Sequence, residues 1–463
     1  MSTPRRPALL AILGLSCALK LGLLALSAGL PAVADEAQYL HAGRSLADGR
    51  GIQYSNPLWD ELTQPPLYPW LLGLVFWLGG DALAVKALQV LLSTATVGLV
   101  FGLGRRACGR TAGLVAAFAL AFDPTLVAFT HYLWSETLAL FWLALAAWLL
   151  FDREARPAAP LRLCAAGGAF ALAALTRSTV VYLPPLLALW LLGANRMPAR
   201  SAAARAALFL IGFAALLLPY TLHLHRQYGG FLLVNSTALV WYRSYNVHEP
   251  FNVDWGFLES RPLVAELDRL GSGAGGERPR VREGNPVERS REEARRARAF
   301  VREHPGLFLR QSAMRLAELL NPTSFLVRHL RLGLYELAAD GSRVRAPLPA
   351  ALREGIIAVS VAATLGLCVL AVLGFFALPA TPLRSFLTLV IAYTLAVHAL
   401  SVGMSRYRLL LMPFLAVAAG SFAAEPRAAL RALGRPGRAL PAAATLVALA
   451  ALWSLHLGKV WAR

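Results

Sequence analysis

About eleven apolar stretches interrupt the chain, and most approach the roughly 20 residues that a helix needs to cross a bilayer. With 57% hydrophobic residues among 463, the sequence is too apolar for a water-soluble globular protein. We therefore predict an all-α polytopic membrane protein. The predicted spans are 7–30, 82–103, 111–122, 129–151, 161–175, 179–192, 203–224, 355–378, 385–403, 409–424 and 440–457.

The formal charge of +19 reports the orientation of these spans and not a nucleic-acid partner. Cytoplasmic loops of membrane proteins are enriched in Lys and Arg. Here the basic residues cluster in alternate loops, at 5–6, 105–110, 153–162, 196–205 and 427–438. The remaining loops, chiefly 31–81 and 225–354, are then predicted to face the outer side.

These loops divide the chain into three predicted parts. Residues 1–224 form a transmembrane module with the first outer loop, 225–354 form an outer domain, and 355–463 add C-terminal transmembrane helices. The start of the chain also resembles a signal peptide with an A-x-A cleavage site at 32–34. Its apolar run is about 24 residues, against a usual 7–15 for the apolar core of a signal peptide, so we expect an uncleaved first helix.

Shorter helices are predicted to lie along the outer membrane surface. Helical spacing covers 35–47, and the aromatic segment 66–79 begins with two prolines. In the outer domain, Asn285 can cap a helix that runs to about 304. A second helix is expected over 306–320. We find no P-loop, H-E-x-x-H or paired C-x-x-C motif, which excludes the usual ATP-driven and zinc classes.

Three acids in the predicted outer loops and turns are candidates for chemistry. Asp35 and Glu36 either start a helix, where acids are favoured, or supply a general base for an acceptor hydroxyl. Glu136 opens the fourth predicted span. An acid in an apolar segment suggests a functional site, although it could equally pair with a cation of a neighbouring helix.

Arginines at the predicted outer ends of spans run against the general distribution of charge. Arg177 joins two apolar stretches, and Arg406 and Arg408 flank Tyr407. A guanidinium matches phosphate oxygens in two-point geometry, which favours an anion site. The alternative for Arg177 is a side chain that reaches to lipid headgroups.

Six short motifs, in this order, resemble those of the GT-C glycosyltransferases. The relevant branch contains the protein O-mannosyltransferases and the lipid A aminoarabinose transferase. The resemblance covers nearly the whole chain thinly, is best in the first 180 residues, and is weakest over 225–280. The motifs are Asp35-Glu36-x-x-Tyr39, Gln64-Pro65-Pro66-Leu67-Tyr68-Pro69, Ser135-Glu136-Thr137-Leu138, Leu175-Thr176-Arg177, Glu303-His304-Pro305 and Arg406-Tyr407-Arg408-Leu409.

This resemblance implies a GT-C fold and an inverting transfer of sugar from a polyprenyl-phosphate-linked donor. The site would lie on the outer face of a bacterial-type plasma (inner) membrane. The acceptor would be a glycolipid, a polysaccharide or a protein. Some GT-C enzymes use a divalent metal, but no ligand set is recognisable here. The implied catalytic residues are Asp35 and Glu36, and the implied substrate-binding residues are Arg177, Arg406, Arg408, Tyr407, Tyr39, Tyr68, Glu136 and His304.

Two other functions stay open at this point. An O-antigen ligase or polymerase also combines many spans with one large outer loop, and its catalysis is expected to centre on that loop. A lipid-linked sugar transporter is the second alternative. The charges lie at span ends and no pair of interrupted helices marks a midplane site, which argues against transport.

Overall fold

In the computed structural model, the described residues are helical and contain no β-strand, as predicted. The described ranges are 7–32, 35–56, 59–152, 154–193, 198–231, 233–234, 284–333, 336 and 342–461. The helices are α1 Pro7–Ser27, α2 Asp35–Ala47, α3 Leu67–Trp77, α4 Ala82–Ala121, α5 Pro124–Phe129, α6 Glu136–Leu150, α7 Pro160–Thr176, α8 Leu183–Gly193, α9 Ala199–Tyr228, α10 Pro286–Glu303, α11 Pro305–Leu319, α12 Phe325–Leu332, α13 Ala350–Ala377, α14 Pro382–Leu400, α15 Met412–Ala424, α16 Pro426–Leu433 and α17 Pro436–Trp461, with 3₁₀ segments at Ser178–Val180 and Ser405–Leu411.

The length and composition of these helices are those of an integral membrane protein. Within the described residues, seven helical segments are long and apolar enough to cross a bilayer. Four shorter apolar segments accompany them, among them α3, α6 and α7. The total of eleven spans therefore stays a prediction, because the shorter helices fall below the length of a full crossing.

Helix α4 contains a chain reversal and is not one continuous rod. Gly109 has φ +83°, in the left-handed region that favours glycine. A Cβ added at Gly104 would lie 3.0 Å from the Cα of Gly113. In a straight helix these two residues would be about 13.5 Å apart. The predicted spans 82–103 and 111–122 are therefore two antiparallel segments joined at a glycine.

Helices α7 and α9 pack with their backbones in contact. A Cβ added at Gly167 would collide with the carbonyl oxygen of Phe209, and one added at Gly212 would collide with that of Cys164. Small residues permit this close approach between helices in a membrane. The packing holds α7 in place, and with it Arg177, which follows α7 directly.

We expect Gly212→Val to separate α7 from α9. The added side chain meets backbone, which cannot move aside, so the cost should be about 1–3 kcal/mol or more. The measurement is the thermal unfolding midpoint of the purified protein in detergent. Gly366→Val is the matched control, because a Cβ at Gly366 in α13 meets nothing within 4 Å. Equal midpoints for the two variants would contradict this prediction.

Basic residues of the predicted cytoplasmic loops bind helix ends on one side of the bundle. Arg106 donates to the carbonyl oxygen of Phe151, just past α6, at 2.9 Å. Arg438 donates to that of Ala377, the last residue of α13, at 2.8 Å. Cations are favourable at helix C-termini. Helix α6 thus has arginine at its C-terminal end and Glu136 at its N-terminal end.

The predicted surface helices are confirmed as helices. Helix α2 has the predicted bounds, and α10 begins where Asn285 accepts a hydrogen bond from the Val287 amide at 2.8 Å. The predicted domain boundary after residue 224 falls inside α9. Residues 5–6, 33–34 and 235–283, which carried parts of the orientation, processing and outer-domain predictions, lie outside the described residues.

Candidate functional site

Asp35 and Arg406 form an ion pair between distant parts of the chain. Asp35 is the first residue of α2, and Arg406 lies in the 3₁₀ segment Ser405–Leu411. The Nη1 atom of Arg406 donates to Oδ2 of Asp35 at 3.1 Å, across 371 residues of sequence. The Asp35 side chain keeps 31% of its surface exposed, against 17% for Arg406. The carboxylate is therefore held in place and still accessible.

Three aromatic rings surround the Arg406 guanidinium. Its central carbon lies 5.5 Å from the ring centre of Trp134, 5.9 Å from Phe325 and 5.2 Å from Tyr407. Such rings attract a cation through their quadrupole. Nη2 also donates to the Tyr407 hydroxyl at 3.4 Å. The buried Nε–H has no hydrogen-bond partner among the described residues, so the caged guanidinium keeps one donor available.

The ring of Trp134 is itself supported from behind. Tyr132 stacks on it, with ring centres 4.4 Å apart and planes 10° apart. The Tyr132 hydroxyl and Nδ1 of His329 are hydrogen bonded at 2.9 Å. Burial lowers the pKa of His329 to about 3, and the positive charges of Arg328 and Arg406 contribute to this shift. His329 is therefore neutral at physiological pH and adds no charge to the site.

A second ion pair joins Arg177 to Glu136 at 2.8 Å. Glu136 is buried at the start of α6, so its carboxylate needs such a partner. The Arg177 guanidinium lies 5.0 Å from the ring centre of Tyr407. His398 stacks on the same ring at 5.0 Å and 11°. Tyr407 thus contacts both Arg177 and Arg406. The two predicted anion-binding arginines therefore belong to a single site.

The side chains of Glu36 and Asp35 lie in different surroundings. The Glu36 side chain is 2% exposed, accepts a hydrogen bond from the Leu133 amide at 2.8 Å, and lies 3.6 Å from Nζ of Lys86. Adjacent residues on a helix point in different directions. Glu36 was predicted as a catalytic partner of Asp35, but these contacts give it the role of an anchor between α2, α4 and the turn before α6.

Tyr39 and Tyr68 lie behind the acids as a buried support. Their rings meet edge to face at 4.9 Å. The Tyr68 hydroxyl donates to Oε1 of Gln89 at 2.7 Å, and Gln89 donates in turn to backbone before α6. Burial raises the pKa of Tyr39, and the charges of Glu136 and Asp35 raise it further. Tyr39 therefore adjoins both ion pairs, whereas Tyr68 supports it from the far side.

Two further predicted residues point elsewhere. Arg408 is buried and donates to the carbonyl oxygen of Asn321. His304 lies at the junction of α10 and α11, where its ring is 5.2 Å from that of Phe300. Among the described residues, neither Arg408 nor His304 forms a hydrogen bond or ion pair with a member of the two ion pairs.

Sequence patterns did not identify the residues that hold Arg406 in position. Trp134 stands two residues before Glu136, in a segment that was singled out only for its acid. Phe325 and His329 lie on one side of α12, four residues apart, a spacing that places them on the same helix face. From the sequence, this spacing predicts only that the two residues share a helix face. The residues against which that face packs depend on the tertiary fold.

No group of three or more His, Cys, Asp and Glu side chains in the described part of the chain could hold a metal ion.

An apolar crevice lies beside the paired arginines. It is a narrow cavity of about 20 Å³ between α6, α8, α14 and the Ser405–Ala424 segment. His398 lines it and stacks on Tyr407, so the crevice adjoins the ring that contacts both guanidinium groups. Its other lining residues include Leu143, Leu183, Val390 and Val397.

Comparisons with known proteins agree with this architecture. Residues 63–222 match the family model described as dolichyl-phosphate-mannose-protein mannosyltransferase. No curated protein sequence matches the chain. Asp35 and Arg406 lie outside the matched range, so their pairing is a finding of the structure.

Among solved structures, the archaeal oligosaccharyltransferase AglB from Archaeoglobus fulgidus, in complex with an inhibitory peptide and a dolichol-phosphate, has a TM-score of 0.50 at 15% identity. The alignment covers 99% of this chain and 56% of that one. The A. fulgidus enzyme tethered to an acceptor peptide gives 0.50 at 14%, over 98% and 55%. ArnT from Cupriavidus metallidurans, bound to undecaprenyl phosphate, gives 0.41 at 14%, over 89% and 77%.

The chain thus spans just over half the length of the archaeal structures it matches. At such low identity the likeness concerns the fold. The order of the helices, the matched family model and the fold neighbours agree with the predicted resemblance. The fold of the chain is similar to that of the archaeal oligosaccharyltransferase AglB, and residues 63–222 are similar to the dolichyl-phosphate-mannose-protein mannosyltransferases.

Proposed function

We propose that this protein transfers a sugar from a polyprenyl-phosphate-linked donor to an acceptor hydroxyl at the outer face of the membrane. The observation that carries the proposal is the convergence of Asp35, Arg406 and Arg177 around Tyr407. These groups come from three separate parts of the chain and meet beside an apolar crevice. An exposed carboxylate, two cations and an apolar slot are the parts that such a reaction needs.

The cations and the crevice fit the two ends of a lipid phosphate. Arg177 and Arg406 present fork-shaped donors that match phosphate oxygens. Arg406 can use its unpartnered Nε–H for this without breaking its bond to Asp35. The apolar side chains that line the crevice beside Tyr407 would contact the first part of the isoprenoid tail. The donor sugar would then project from the phosphate toward Asp35.

The chemical step follows from this arrangement. Asp35 takes the proton of the acceptor hydroxyl, whose oxygen attacks the anomeric carbon from the side opposite the phosphate. The bond from the anomeric carbon to the phosphate oxygen breaks, and its electron pair leaves with the phosphate. Arg177 and Arg406 stabilise the negative charge as it builds up there. Attack from the opposite side inverts the anomeric configuration.

Lipid binding tests the donor side without knowledge of the sugar. We expect the full chain in lipid nanodiscs to bind added undecaprenyl phosphate, as measured by native mass spectrometry. Arg177→Gln alone would leave Glu136 buried and unpaired, which is strongly destabilising. The informative variant is therefore the double replacement Glu136→Gln with Arg177→Gln. It should weaken binding about tenfold or more, the worth of a hydrogen bond to a charged group.

The control for this experiment is Glu136→Gln by itself, which keeps the cation. It should bind undecaprenyl phosphate at least as well as the unchanged protein. Equal affinity in the single and double variants would remove Arg177 from the phosphate site. A wild-type protein that binds phosphatidylglycerol as tightly as undecaprenyl phosphate would contradict a dedicated lipid-phosphate site.

A further inference from the structure

A second polar and aromatic cluster lies outside the site described above. It joins the first predicted outer loop to the end of α9 and the start of α10. We call it the loop cluster. Its members are Tyr54, Trp59, Asp60, Glu61, Tyr228 and Arg289.

Specific contacts hold the two acids of the loop cluster. Nη2 of Arg289 lies 2.7 Å from Oδ2 of Asp60, across 229 residues of sequence. The Glu61 carboxylate accepts hydrogen bonds from the Tyr228 hydroxyl and from Nε2 of Gln227, the latter at 3.3 Å. These contacts fix the position of the loop, because Glu61 is bound to α9 and Asp60 is bound to α10.

Two polar groups of the cluster are buried without a hydrogen bond. Neither the Tyr54 hydroxyl nor Nη1 of Arg289 has a partner among the described residues. Tyr54 as a whole is 9% exposed, and its ring meets that of Trp59 at 5.2 Å and 72°. Buried polar groups are nearly always satisfied, so two unpaired donors around Asp60 indicate a site for oxygen atoms of a ligand.

The cluster adjoins the proposed catalytic carboxylate through two tyrosines. Burial raises the pKa of Tyr54, and the neighbouring Tyr39, Tyr220 and Asp60 raise it further. Tyr39 is in turn an electrostatic neighbour of Asp35. Tyr54 is therefore an electrostatic neighbour of both Asp60 and Tyr39, and Tyr39 is one of Asp35.

Solvent reaches the far edge of the cluster. Gln227 is exposed, and Trp59, Asp60 and Glu61 are each partly exposed. A ligand can therefore reach the loop cluster from solvent.

We propose that the loop cluster is an acceptor subsite that binds a carbohydrate. Asp60 and Glu61 would accept hydrogen bonds from neighbouring hydroxyls, while Tyr54 and Arg289 would donate to sugar oxygens. Trp59 supplies an apolar ring face for the C–H side of a sugar. A sugar offers donors and acceptors on adjacent atoms, which matches carboxylates placed beside unpaired donors. The assignment rests on the proposed function, because it takes Asp35 as the base that the acceptor must reach.

Binding of soluble probes to the full chain in nanodiscs tests the subsite. Saturation-transfer-difference NMR would compare a neutral tetrasaccharide, mannotetraose, with an octapeptide rich in Ser and Thr. We expect transfer to the tetrasaccharide and none to the peptide. Trp59→Ala and Glu61→Gln should each reduce that transfer at least about fivefold, the worth of one contact near 1 kcal/mol, and Trp59→Phe should restore most of it.

Two replacements outside the cluster serve as controls. Trp77→Ala removes an exposed tryptophan at the end of α3, and Asp48→Asn removes an exposed acid of the same loop. Both should bind the tetrasaccharide like the unchanged protein. Transfer to the peptide alone, no transfer to the tetrasaccharide, or equal transfer in Glu61→Gln would each overturn the subsite. Undecaprenyl phosphate binding, measured on the same samples, shows separately whether the donor site is intact.

Discussion

Asp35→Asn is expected to lower the rate of sugar transfer by about 10²–10⁴-fold, the contribution of a positioned general base. The asparagine side chain has nearly the same shape, and its amide oxygen can still accept the hydrogen bond from Arg406 that Asp35 accepts at 3.1 Å. What it loses is the ability to take a proton. The variant should therefore fold, bind undecaprenyl phosphate normally, and fail only in the chemical step.

The measurement is the release of undecaprenyl phosphate from the sugar-loaded lipid that the wild-type protein consumes. That donor can be identified by comparing envelope glycans with and without the gene. Asp48→Asn is the matched control, since Asp48 is an exposed acid of the same predicted loop. Full activity in Asp35→Asn would refute the role of Asp35. Movement of the lipid-linked sugar across the membrane without its consumption would favour a transporter.

Arg406→Gln is expected to weaken both the binding of the lipid donor and the chemical step. Loss of the guanidinium removes a charged donor to the lipid phosphate, which should reduce affinity for undecaprenyl phosphate about tenfold or more. It also removes a charge that stabilises the departing phosphate, so turnover should fall by a further hundredfold or so. Asp35 keeps 31% of its side chain exposed, so water can solvate it and the fold should survive.

Arg406→Lys makes this prediction specific. Lysine keeps the positive charge but loses the planar fork, so it cannot hold Asp35 and Tyr407 together and also donate to a phosphate. We expect its affinity and turnover to lie between those of Arg406→Gln and the unchanged protein. Arg50→Gln, a replacement of an exposed arginine in the same loop as Asp35, should have no effect. A Lys variant as active as wild type would show that charge alone matters.

Hydrophobic patterning predicted much of the fold, because it is a local property. The bilayer requires helices whose backbone groups bond to one another, so long apolar runs predict spans without knowledge of their neighbours. The bounds of α2 and the cap at Asn285 were likewise written in local sequence. Spans 82–103 and 111–122 were separable because the basic cluster 105–110 interrupts the apolar sequence, and the structure places the chain reversal there at Gly109.

The candidate site was predictable only as a set of residue types. Arginines placed against the orientation trend drew attention to Arg177 and Arg406, and an acidic pair in the first outer loop drew attention to Asp35. The resemblance to a family gave these residues roles. The same reasoning grouped Glu36 with Asp35 and Arg408 with Arg406. In both pairs, neighbours in sequence point in different directions on their helical segment, and only one of each pair faces the site.

Composition and periodicity by themselves determined that this chain is an all-helical membrane protein, since these follow from how each segment interacts with lipid and water. Which charges meet was decided by the tertiary structure alone. The pairing of Asp35 with Arg406, the ring of Tyr407 between two arginines, and the rings of Trp134 and Phe325 around one of them depend on helices that lie far apart in sequence. The local sequence does not predict such contacts, because each side chain meets its partner only when the helices have packed into the bundle.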